Sequence, residues 1–123
     1  MAVPDFQTLQ KPVLEKAALG EQKISNVVAQ LADELDLSKE DREELLPSGK
    51  QTRFANRVHW ARSYLKQAGL IKNTKRAHFI ITDRGRDLLS THDGMITKED
   101  LRKYDDFLDF ESRTNTSLSL IHI

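Results

Sequence analysis

The sequence predicts a mainly α-helical domain that carries one small β-hairpin, because helical spacing of apolar residues recurs along the chain and is interrupted once by two short β-prone runs. The helix with the cleanest apolar stripe stands directly before that hairpin. Those two elements carry seven Lys or Arg and no acid.

The elements follow in order. Pro4 and Asp5 look like a helix start, and Phe6, Leu9, Val13 and Ala17 follow at helical spacing until Gly20 supplies a C-cap. Pro12 lies inside that span and removes a backbone donor, so a kink or two short helices is expected. "EQKI" reads as a short extended piece, and Ser25 is placed to cap a second helix through Val27, Val28, Leu31 and Leu35, with Asp33, Glu34 and Asp36 outward. In "LSKEDREELLPSGK", Ser38 with Asp41 resembles a capping box. Leu45 and Leu46 are expected to close that short helix before "PSGK" breaks it.

Phe54, Val58, Ala61, Leu65 and Ala68 then fall at steps of four, three, four and three, forming one stripe of a helix that ends at Gly69. The opposite face carries Thr52, Asn56, His59, Ser63 and Lys66, with Arg57 and Arg62 on the shoulders. Leu70 to Lys72 and His78 to Ile81 read as strands joined by the cationic connection "NTKRA". Thr82 caps a further helix, "DRGRDLL", although Gly85 within it carries a propensity cost. After the linker "STHDG", Thr97 opens a last amphipathic helix with Leu101, Tyr104 and Phe107 or Leu108. The tail "TNTSLSLIHI" shows no helical pattern, which gives a domain over 1–90 followed by a linker, an amphipathic helix and an irregular tail over 91–123.

Composition bounds the chemistry. A chain of 123 residues suffices for one domain with a real core but not for two well-stabilised ones. Without cysteine there is no disulfide framework, no Cys-ligated zinc and no thiol nucleophile. His59, His78, His92 and His122 are scattered and lack metal-ligand spacing, so neither a metal nor another cofactor is expected. The N-terminus lacks the apolar core of a signal peptide and no window is long enough to span a bilayer. A soluble cytoplasmic protein without membrane contact is the expectation.

The formal net charge of zero hides a strong asymmetry. From Lys50 to Arg86 there are ten Lys or Arg and one acid, Asp83, whereas acids outnumber bases on both flanks. A basic surface attracts a polyanion and releases its condensed counterions, which points to nucleic acid. The plainer reading is that acidic helices fold back and neutralise the segment.

Helices, the last of them cationic on its exposed face, followed at once by a hairpin with a basic turn, describe a winged helix-turn-helix. A helix is the right width for the major groove, and a hairpin beside it can grip phosphates or the minor groove. The basic segment coincides with those two elements, which favours DNA over intramolecular neutralisation.

The stretches "VPDFQTLQKPVLEKAALGE", "LADELDLSKEDREELLPSGKQTRFANRVHWARSYLKQAGLI" and "ITDRGRDLL" resemble the N-terminal domain of Mrr-type restriction endonucleases, enzymes that cut foreign methylated DNA. The resemblance runs from about Val3 to about Leu89. It implies a winged-helix DNA-binding domain that works with a separate C-terminal nuclease domain of the PD-(D/E)xK type. Such a nuclease needs a carboxylate pair and a lysine around Mg²⁺. "HDGMITKEDL" has only a superficial likeness to such a site through Asp93 and Asp100, and no Glu-x-Lys strand follows it. A linker and the capped start of the last helix explain it better, so this chain is expected not to be an enzyme.

The expected DNA-binding residues divide by role. Asn56, His59 and Ser63 point away from the stripe and suit base edges, and Asn pairs bidentately with adenine. Lys72, Lys75 and Arg76 in the wing suit phosphates, and Asn73 in the wing with Thr52, Arg53 and Lys66 on the helix complete the expected DNA-binding set. Arg57 and Arg62 serve either DNA phosphates or carboxylates of the acidic helices. Trp60 and Tyr64 offer stacking surfaces, but such a pair more often packs, and packing is the expected role. The expected partner is double-stranded DNA, with a nuclease domain or a second copy of the chain as further partners. The alternatives are a protein–protein interaction or dimerisation module and a stand-alone transcriptional regulator.

Overall fold

The computed structural model describes residues 6–92 and 94–118. Along the chain the elements are α1 (Phe6–Ala17), β1 (Gln22–Lys23), α2 (Ile24–Glu34), α3 (Lys39–Glu43), α4 (Arg53–Gln67), β2 (Ile71–Lys75), β3 (His78–Ile81), α5 (Asp83–Thr91), α6 (Lys98–Leu101) and α7 (Asp105–Leu118). The strands form one antiparallel sheet in the order β1-β3-β2. This is a mainly helical, winged helix-turn-helix architecture, as the residue pattern predicts. No helix among the described residues is long and apolar enough to cross a membrane.

The apolar stripe of α4 is the centre of the core. Val58, Ala61, Leu65 and Ala68 are fully buried and Phe54 nearly so. Leu9, Val13, Leu14 and Ala17 of α1 pack into the same cluster, as do Val27 and Leu31 of α2 and Phe79 of β3. Thr52 caps α4, its hydroxyl accepting a hydrogen bond from Ala55 N at 3.1 Å. At the other end Gly69, at φ +79°, turns the chain straight into β2.

Several expectations are corrected. Of the two outcomes expected at Pro12, two short helices are excluded, because α1 continues through it: the proline forfeits a single helix bond, while Leu9 and Val13 on either side of it are held in the core. The expected start at Pro4 and Asp5 lies outside the described residues. Helix α2 begins at Ile24 and not after Ser25, because Ile24 N is already bonded to Ala77 O at 2.8 Å and Lys23 takes the N-cap position without a side-chain cap.

Helix α3 ends at Glu43. Ser38 caps it as expected, accepting from Asp41 N at 3.1 Å. Leu45 and Leu46, however, lie beyond its end. Leu46 precedes Pro47, which disfavours helical backbone there, and the chain doubles back so that Leu46 N bonds Gln51 O and Arg53 N bonds Glu44 O. Leu45 is left more than half exposed.

The C-terminal segment forms two helices and not one. Asp100 and Thr97 make a reciprocal capping box that starts α6, and the backbone breaks at 102–104 before α7. Leu101 and Phe107 would lie about 120° apart on an unbroken helix. The break turns both inward, and both are fully buried. Helix α7 continues to Leu118, into the tail that was expected to be irregular; 119–123 lie outside the described residues.

Candidate nucleic-acid interface

Because one face of α4 is committed to the core, its other face is fixed in direction. Thr52, Asn56, His59 and Ser63 are half-buried along it and Lys66 is exposed. His59, Trp60 and Ser63 line a shallow depression of about 210 Å³. Burial, and then the neighbouring Arg62 charge, push the His59 imidazole below its ordinary pKa.

The wing is longer and tighter than the sequence predicts. Strand β2 extends to Lys75, so most of the expected "NTKRA" connection is strand and only Arg76 and Ala77 turn the chain. Ala77 takes that turn at φ +62°, and its carbonyl is anchored by Ile24 N. Past Ile71, every residue of β2 is exposed, which puts Lys72, Asn73 and Lys75 at the surface together with Arg76. The register slips between Asn73 and Lys75, leaving Thr74 bulged. The Thr74 hydroxyl donates to Glu21, and that bond, aided by the charges of Lys75 and His78, holds the Glu21 carboxyl below its usual range. Glu21 was not visible from sequence as part of this surface, since it stands 53 residues from Thr74.

Helix and wing are joined directly. Arg62 Nη1 donates to Asn73 Oδ1 at 2.9 Å. The expected residues therefore fall into two groups. His59, Arg62, Ser63 and Lys66 lie on α4, Lys72, Asn73 and Lys75 on β2, and Arg76 in the turn that follows it. Three others near the start of α4 have internal partners: Thr52 caps the helix, Arg53 Nε bonds Glu44 Oε2 at 2.9 Å, and Asn56 Nδ2 donates to Gln51 Oε1 at 3.2 Å. Arg57 is half-buried on the shoulder.

Part of the basic segment is neutralised internally, as the plainer reading of the charge predicted. Arg53 pairs with Glu44, and Arg84 pairs with Asp106 at 3.1 Å. Arg84 also donates to Ala68 O at 2.8 Å and lies 5.0 Å from the centre of the Tyr104 ring, so it caps the end of α4 and fastens the C-terminal helices to it.

Trp60 and Tyr64 pack, as expected. Tyr64 is the hub of an aromatic cluster, with ring centres 4.9 Å from Phe6, 5.8 Å from Trp60, 5.7 Å from Phe107 and 5.8 Å from Phe110. The carboxylate at Asp100 bonds Thr97 N at 2.8 Å and stands 3.4 Å from His92. It is a helix-capping group; Asp93 lies outside the described residues.

Comparison with known proteins agrees with this architecture. A family model described as the Mrr N-terminal domain matches residues 6–91. No curated protein and no solved structure gives a significant match. The matched region runs from the first residue of α1 to the last of α5, well over half of the chain, and the chain therefore belongs to the Mrr N-terminal domain family.

Proposed function

We propose that this domain binds duplex DNA and serves as the targeting domain of an Mrr-type restriction system, in partnership with a nuclease domain. The observation that carries this reading is the exposed cationic wing, Lys72, Lys75 and Arg76, fastened through Asn73 to the polar side of α4. In this arrangement α4 enters the major groove, His59 and Ser63 meet base edges, and the wing holds phosphates. Membership of the family supports the same role. The domain itself contributes recognition and no bond-breaking chemistry.

Binding to duplex DNA measured over a range of salt concentrations tests this. Affinity should fall steeply as salt rises, and Lys75→Ala with Arg76→Ala should weaken binding to all sequences alike and flatten the slope by up to about two units. Binding that ignores salt, or no binding at low ionic strength, would leave the basic face to an acidic protein partner, the competing role for a winged helix.

A further inference from the structure

Four arginines of this chain are matched to acids: Arg42 to Asp33, Arg53 to Glu44, Arg84 to Asp106, and Arg102 to Glu99 and Glu111. Arg62 is matched differently. It donates to the neutral amide oxygen of Asn73, and its Nε is buried with no hydrogen-bond partner. A guanidinium has five donors in a rigid fork that fits a carboxylate or a phosphate with two parallel bonds, and an amide oxygen uses one of them.

We infer that Arg62 is a phosphate clamp held on Asn73 until DNA arrives, so that one DNA phosphate both pairs with the terminal Nη groups of the guanidinium, the buried Nε being out of its reach, and sets the wing against α4. This rests on the DNA-binding reading and names the residue at which helix and wing contacts become coupled. Partial dehydration of an unmatched cation is unfavourable in the free protein. Burial accordingly lowers the Arg62 pKa from the usual arginine value, although the group stays charged at neutral pH. An incoming phosphate reverses that penalty, because the site is already partly stripped of water and the cation already aimed between the two DNA-facing elements.

The test is duplex DNA binding over a salt series by the wild type, Arg62→Met, Asn73→Asp and the double variant, with thermal unfolding of each. Arg62→Met should bind about tenfold or more weakly at low salt, with a salt slope shallower by about 0.9, the signature of one lost phosphate contact. Its melting temperature should stay close to that of the wild type, since the bond to Asn73 is lost together with a partly buried, unmatched charge. Asn73→Asp should weaken binding by giving Arg62 an internal acid. In the double variant that loss should largely disappear, because the acid acts through Arg62.

Arg62→Met binding with wild-type affinity or an unchanged slope would overturn the inference, as would losses that simply multiply in the double variant. A wild-type protein that binds no DNA at any salt would instead remove the DNA reading, and this inference with it.

Discussion

The C-terminal half of α4 and the wing that follows it are built from the same basic stretch of sequence yet live under opposite constraints. Around Tyr64, rings from α1, α4 and α7 meet edge to face or tilted, Lys98 lies 5.5 Å from the Tyr64 ring centre, and Arg84 closes the helix end. Beyond Ile71 the wing buries little on β2 and is held by backbone pairing, the Arg62–Asn73 bond and the Thr74–Glu21 bond. The contrast separates two uses of a cation. Arg84 contributes to the fold because an acid and a carbonyl surround it, whereas Lys72, Lys75 and Arg76 stand in solvent, where charge attracts a polyanion and adds little stability.

The largest break in that comparison should come from the aromatic side. Phe107 is fully buried, so Phe107→Ala should cost about 3–5 kcal/mol in a denaturant titration and detach α7 from Tyr64. The same titration should leave Lys75→Ala with Arg76→Ala within about 0.5 kcal/mol of the wild type, as expected for an exposed wing. A wing variant that unfolds the domain would erase the distinction.

Gly85→Ala comes next. A Cβ on this α5 glycine would stand 2.2 Å from Leu70 O and 2.6 Å from Ile81 Cγ1, so α5 must move away from the sheet. The expected cost is about 3 kcal/mol, read as a lowered denaturation midpoint. An alanine variant as stable as the wild type would show that α5 does not rest on the strands as closely as these distances require.

Gly85 also shows where sequence reasoning stops. Local propensity counts a helical glycine as a cost, and the close approach that requires it involves Leu70 and Ile81, which become neighbours only after the sheet forms. By contrast, the α4 stripe, the Thr82 cap and the hairpin were legible because each is written in spacing or residue type within a few positions. Partners at long range were not. Nothing near Arg53 or Arg84 in sequence announces Glu44 or Asp106, so their internal pairing was invisible while their charge was plain. The break before α7 was hidden for the same reason, since it follows from Leu101 and Phe107 sharing one core.

The smallest effect lies at the wing itself and is the one most specific to its role. Glu21 places a carboxylate beside Lys75 and on the Thr74 hydroxyl, within a surface that otherwise presents cations. Glu21→Gln keeps an acceptor for Thr74 and removes the negative charge. Stability should be unchanged, because the group is fully exposed. Binding to duplex DNA should tighten by a few-fold at low salt, and the gain should vanish as salt screens the pair, since exposed charges interact only within a Debye length. If Glu21→Gln binds like the wild type at low salt, phosphates do not come within that distance of the wing. The DNA contact would then belong to α4 alone, and the exposed cations of β2 would need another partner.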